Sequence, residues 1–156
     1  MTRDELIEII QAADPVGAAS RLRLDPNEPI TWTRVATAGD DAHVVWYGTE
    51  VSDEDTADRI LELVARHETH GDVLAVCPVP ADGSPGSWGV QDLAVIAACR
   101  HALSDVRWVR PSWEKLGASL CQIAVAFGAN DWVLPADERS DPAHLAAEVG
   151  RLAVER

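Results

Sequence analysis

The sequence predicts an α/β fold, a partial (half) TIM-like barrel of parallel strands built from βα repeats. Three observations lead there. Strand-like runs alternate with helix-like runs, which calls for parallel strands joined by helical crossovers. The strand-like runs are apolar nearly throughout, as strands covered on both faces are. Four βα units begin near Ala42, Asp72, Val106 and Asp131, half the complement of a complete eight-unit barrel. The 156 residues read as a single domain, with a helix and a strand in residues 1–41 and the four units in 42–156.

The elements follow in order. Residues 3–13 predict a helix with Leu6, Ile9, Ile10 and Ala13 on one face. Pro15, Pro26 and Pro29 break the chain into loops. "ITWTRVA" (30–36) alternates as a strand does, and "AHVVWYG" (42–48) is a more uniformly apolar, buried strand. Ser52, with Asp55 three residues on, marks a helix start, Ile60, Leu61 and Val64 form its apolar stripe, and Gly71 stands where a C-cap glycine belongs. "DVLAVCPV" (72–79) is the next strand, and 80–89, rich in proline, glycine and serine, is a loop. Residues 90–103 predict a helix and "VRWVRP" (106–111) a short strand. Ser112 then caps a helix running to Phe127, which Gly128 ends. "DWVLP" (131–135) is the last expected strand. Asp141 and Pro142 begin a final helix over 142–154.

Composition narrows the function classes. Hydrophobic residues make up 47% and charged residues 25%, which fits a packed globular chain and not a disordered one. The net charge of −13 argues against a nucleic-acid partner, which needs a basic patch. The apolar runs are too short to span a bilayer, and the N-terminus lacks the basic-then-apolar order of a signal peptide, so the expected location is the cytoplasm. Cys77, Cys99 and Cys121 are evenly spaced, with no close pair and no CxxC. The expectation is reduced, buried thiols, one on a strand and two in helices.

In parallel α/β folds ligands bind outside the carboxyl ends of the strands. Those ends carry Glu50, Arg110, Ser112, Trp113, Asn130 and Asp131. Asn130 and Asp131 follow a helix-ending glycine, where they serve either as turn formers or as a site. Arg110 suits a carboxylate or phosphate in bidentate fashion, or an internal salt bridge. Trp113 is either packing or a stacking platform, and Ser112 a helix N-cap. His67 and His70 share a helix end without a third metal ligand singled out by the sequence, so they read as solvent-exposed side chains that suit the helix dipole. "GSPGSWG" (83–89) matches neither glycine-rich phosphate motif.

Two longer stretches resemble a family. "VVWYGTEVSDEDTADRILELVARHETHGDVLAVCPVP" (44–80) is similar to a segment that reads, loosely, M-M-Y-G-H-x-E, a helix, then an apolar strand ending in proline. "DLAVIAACRHALSDVRWVRPSWEKLGASLCQIAVAFGAND" (92–131) resembles the segment that follows it: a helix with an arginine, a strand, W-x-x-L-G, a glutamine, then F-G-A-N-D. The family is the radical SAM group containing dehypoxanthine futalosine cyclase, aminofutalosine synthase and FO synthase, which make menaquinone precursors or a deazaflavin. The resemblance covers the C-terminal half of that barrel, about residues 42–132.

The departures shape what the resemblance implies. The cluster-binding C-x₃-C-x₂-C motif is missing, Thr49 replaces the histidine after Y-G, and Trp132 stands where a glycine commonly follows F-G-A-N-D. The implied protein is a cluster-less relative in the menaquinone or deazaflavin setting, acting as a companion subunit, a pseudoenzyme or a small-molecule binding module. One alternative is a catalytic half-barrel completed in trans by a cluster-bearing radical SAM chain. Another is an unrelated acid–base enzyme using Asp131 and Glu50. No metal or iron–sulfur cluster is expected in this chain, and S-adenosylmethionine only with a partner. A half barrel leaves strand edges unpaired. The expected partners are therefore a second copy of the chain or a radical SAM chain, unless residues 1–41 cover an edge.

Overall fold

A computed structural model describes residues 1–34, 42–81 and 89–156. Helix α1 spans Arg3–Ile10, capped by Thr2, whose hydroxyl accepts from the Glu5 amide at 3.1 Å. It buries Leu6, Ile9 and Ile10. A single turn, α2 (Val16–Ala19), follows Pro15 where the sequence predicted only loop. Strand β1 covers Ile30–Arg34 and β2 covers Ala42–Tyr47. The predicted end of the first strand, Val35 and Ala36, lies outside the described residues.

The four βα units are present. After β2 comes α3 (Asp53–His70), where Ser52 accepts from the Asp55 amide at 3.0 Å and Gly71 closes the end at φ 65°. Strand β3 (Ala75–Pro80) leads to α4 (Val90–Ala102), buried from Leu93 through Arg100. A helix so apolar on all sides belongs inside the packing, and α4 lies against α1, α2, α3 and β3. Of the predicted 80–89 loop, residues 82–88, with most of "GSPGSWG", lie outside the described residues. Strand β4 (Trp108–Val109) precedes α5 (Trp113–Ile123), and β5 (Asp131–Leu134) precedes α6 (Pro142–Glu148).

The strands form two three-stranded sheets, ordered β2-β3-β4 and β5-β1-β6, each parallel throughout. Strand β6 is Ala153–Glu155. Val44 pairs with Cys77, Ala75 with Trp108, and Thr31 with Asp131. Among the described residues a backbone bond ties the sheets together: the Asn130 amide donates to the Val109 carbonyl at 3.1 Å. The larger core gathers α1, α3 and α4 over β2 and β3. A smaller one joins Ile30, Trp113, Trp132 and Leu134.

Several expectations change. The first helix ends at Ile10 rather than residue 13. The last ends at Glu148 and is followed by a strand, because Gly150 turns the chain at φ 73° and 153–155 then pair with the open edge of β1. The helix expected from Ser112 to Phe127 is interrupted. Gly117 sits at φ 81°, ψ 172°, outside helical space, and Ala124–Phe127 tighten into a 3₁₀ turn. Gly128 does end that segment, at φ 104°, and a Cβ there would lie 2.5 Å from Arg100 Cβ, so both its conformation and its neighbour require glycine. The uniformly apolar β2 is covered on one face only: Val45 and Tyr47 are buried, whereas Trp46 is 51% exposed.

Candidate functional site

A cleft of about 920 Å³ runs along one face of β2 and β3 to the segments that follow β4 and β5, within the range of pockets that hold small molecules. Period-two geometry puts Ala42, Val44 and Trp46 of β2 on one face, and Cys77 and Val79 of β3 beside them. This wall is apolar, with the Trp46 indole half-exposed. The opposite side carries Arg110, Ser112, Lys115 and Glu138, with Val133 and Pro135 below.

Asp131 opens β5 and is fully buried. Its two oxygens accept four donors: Oδ1 from the Thr31 hydroxyl at 2.7 Å and Arg156 Nε at 2.7 Å, Oδ2 from Arg110 Nε at 2.6 Å and Arg156 Nη2 at 2.8 Å. Four donors fill a carboxylate's lone pairs. Arg110 is itself only 2% exposed and still lines the cleft. Asp131 therefore sets where the Arg110 guanidinium points, and Arg110 forms part of the cleft's polar end. The internal salt bridge and the ligand-facing position, alternatives in the sequence, coexist in one side chain.

Asn130 has a different task. Its Oδ1 accepts from the Val109 amide at 2.9 Å and from Arg100 Nη2 at 3.2 Å, and its Nδ2 donates to the Arg107 carbonyl at 2.8 Å and to Glu28 at 3.1 Å. The amide thus mimics a missing strand residue between β4 and β5. It does not line the cleft.

Trp113 is buried, edge-on to Trp132 with centroids 5.7 Å apart, and donates from Nε1 to Glu138 at 2.9 Å. That bond, with one from the Ser140 amide, holds the Glu138 carboxyl below its ordinary range. Trp113 borders the cleft, but the more exposed indole in its described lining is Trp46. Ser112 occupies the N-cap position of α5, but its hydroxyl makes no capping bond and borders the cleft instead. Glu50 stands in the turn after β2 at φ 65°, exposed and away from the cleft lining. His70 is exposed as expected, whereas His67 is largely covered, with Nε2 3.4 Å from Asp105.

The cysteines occupy three separate elements: β3, α4 and α5. All are free and buried, and burial pushes their thiols up, to about 11 for Cys77 and about 12 for Cys99. Thiols buried on three elements and held protonated are a poor fit to an iron–sulfur cluster, which takes thiolates from one converging set.

Sequence reasoning missed Trp46, Val44, Val79 and Lys115 as cleft residues. The signal was the odd-even position of Trp46 relative to Val45 and Tyr47, hidden because all three are apolar. No helix among the described residues is long and apolar enough to cross a membrane. No family model matches the chain, and no curated protein is significantly similar to it.

Proposed function

We propose that this chain is a cluster-less relative of the futalosine and deazaflavin radical SAM enzymes, built on the second half of their barrel, and that it binds a small molecule in the cleft. The observation that carries the reading is the cleft at the strand ends, with the Trp46 indole on an apolar wall and the buried Arg110 at the polar end. A ring system would lie against Trp46, and a carboxylate, phosphate or carbonyl group would meet Arg110 and the Ser112 hydroxyl. This division between apolar surface and a few polar anchors is usual for small-molecule pockets. The half-barrel reading draws support from the strand sequence β2-β3-β4, continued through Asn130 to β5 and then to β1 and β6.

The chain acts without its own cluster, as a binding module, a companion subunit or a pseudoenzyme. S-adenosylmethionine enters only through a partner. The acid–base alternative draws no support from the geometry. Asp131 has all its lone pairs engaged, and Glu50 lies off the cleft. Completion in trans has one observation in its favour. Among the described residues β2 pairs on one side only, and its uncovered face carries Trp46.

The test is a thermal-shift and tryptophan-fluorescence screen of futalosine-type nucleosides, deazaflavins and S-adenosylmethionine. A ligand at 100 times its Kd adds about 2.7 kcal/mol, a shift of several degrees. The expected result is stabilisation by one compound, weakened in Trp46→Ala and in Ser112→Ala. A screen without any response, or with equal responses in wild type and both variants, removes the cleft as a binding site for this ligand class.

A further inference from the structure

A second, smaller pocket of about 240 Å³ lies between the 21–24 segment and the end of α4, and shares no lining residue with the cleft. Its charge runs against the rest of the molecule. The chain has a net charge of −13, yet this pocket is lined by Arg21, Arg23, Arg100 and His101, with no carboxylate in its wall.

Five arginines elsewhere form ion pairs: Arg3 with Asp58, Arg59 with Glu62, Arg66 with Asp72, and Arg110 and Arg156 with Asp131. The side chains of Arg21 and Arg23 are exposed and make no hydrogen bond or ion pair among the described residues. Arg100 is the more telling case. It is 8% exposed, and its guanidinium donates to the Gly128, Leu103 and Val106 carbonyls and to Asn130 Oδ1. All four acceptors are neutral. Glu28, the nearest acidic influence, gives its Oε1 to the Asn130 amide and acts on Arg100 only at longer range. A buried cation held by neutral acceptors has lost water, and Glu28 offsets that loss only in part. Burial accordingly lowers its affinity for the proton. His101 gives its Nε2–H to the Ala18 carbonyl at 2.8 Å, which fixes the ring at the pocket wall.

We propose that this pocket is a binding subsite for a phosphate group. An incoming dianion would draw in the two exposed guanidinium forks of Arg21 and Arg23, which match phosphate oxygens in pairs, and would add negative charge beside the buried Arg100. The volume sits below the range of about 300–1,000 Å³ that encloses drug-sized ligands. The pocket therefore suits a phosphate headgroup, either free orthophosphate or the terminus of a phosphomonoester whose remainder stays outside. The site is independent of the cleft at the strand ends and does not rest on the reading given for it.

The experiment is calorimetric titration with orthophosphate and with adenosine monophosphate at constant ionic strength, with sodium chloride as the control. The proteins are wild type, the Arg21→Ala/Arg23→Ala double variant and Trp46→Ala. Both substituted arginines are exposed, so the double variant keeps its fold, which its unfolding midpoint in chloride verifies. The expected result is phosphate binding in wild type and in Trp46→Ala, about tenfold or more weaker in the double variant, since hydrogen bonds to charged groups are the stronger class. Tighter binding of the monophosphate assigns a phosphomonoester, and equal or tighter binding of orthophosphate assigns the free ion. Heat no greater than that of chloride, or equal affinity in wild type and the double variant, overturns the proposal.

Discussion

The Nε of Arg110 lies 2.6 Å from Oδ2 of Asp131, and both side chains are almost wholly out of water. The pair joins the end of β4 to the start of β5, and Arg156 and Thr31 complete the carboxylate's shell. Asp131 is thus no surface turn residue, and it does not line the cleft. It is the anion that lets a buried arginine stand at the head of a cleft.

Removing that anion should be costly. Asp131→Ala takes from the buried Arg110 the carboxylate 2.6 Å from its Nε and from Arg156 its bidentate partner. Breaking a buried pair from one side costs about 3–5 kcal/mol. Urea unfolding of wild type and variant measures it. A loss under about 1 kcal/mol, the size expected of a surface turn, would show that the pair is not coupled to folding.

Asn130→Ala should also destabilise, by about 1–3 kcal/mol, because the Val109 amide and the Arg107 carbonyl lose their partner at the junction of the sheets. Hydrogen exchange locates the effect: the Val109 amide should lose protection before the amides of β3. Unchanged protection at Val109 would mean that solvent or a neighbour replaces the side chain.

Tyr47 gives a pH dependence with a definite sign. Its hydroxyl is buried and donates to Asp92 at 2.6 Å, and burial first, then the Asp92 charge, drives it far above the ordinary value of 10.0. A pKa raised in the folded state means that the folded chain holds its proton more tightly. Stability is fully present below pH 10 and falls as pH rises beyond it, while the unfolded chain ionises. Tyr47 is the sole tyrosine, so tyrosinate absorbance reads it directly. Tyrosinate should appear only as the fold is lost. A reversible titration near pH 10 with the fold intact would contradict the buried hydrogen bond.

The cysteines should be slow to react. With Cys77 raised to about 11 and Cys99 to about 12 by burial, the thiolate fraction near neutral pH is small. Ellman's reagent should modify the native chain far more slowly than the unfolded one. Anaerobic reconstitution with iron and sulfide should leave no stoichiometric cluster. A cluster absorbance that vanishes when the three cysteines are replaced would reverse this assignment.

Much of the fold was legible because its signals are local. The caps at Ser52 and Asp141, the stop at Gly71 and the turn at Gly128 each act within a few residues, through a hydrogen bond or a backbone angle that the residue type favours. Apolar runs of strand length alternating with helical periodicity identified four βα units, and the segments after β4 and β5 do border the cleft, which also extends along the face of β2. The residues that line it were harder to read. Arg110, Ser112 and Trp113 fell there through their place after β4. Trp46 and Val44 did not, since an apolar strand carries no mark of which face stays uncovered.

What remained hidden depends on residues distant in sequence. The place of β1 between β5 and β6, the capture of Ala153–Glu155 as a strand, and the convergence of Thr31, Arg110 and Arg156 on Asp131 are non-local pairings. No periodicity or cap encodes them, because their energy comes from desolvation and charge pairing once the chain has folded. Local chemistry therefore settles that this chain alternates strand and helix and where its strands end. Folding brings two arginines and a threonine to one buried aspartate, because a charge removed from water must find its partners wherever the packed chain brings them.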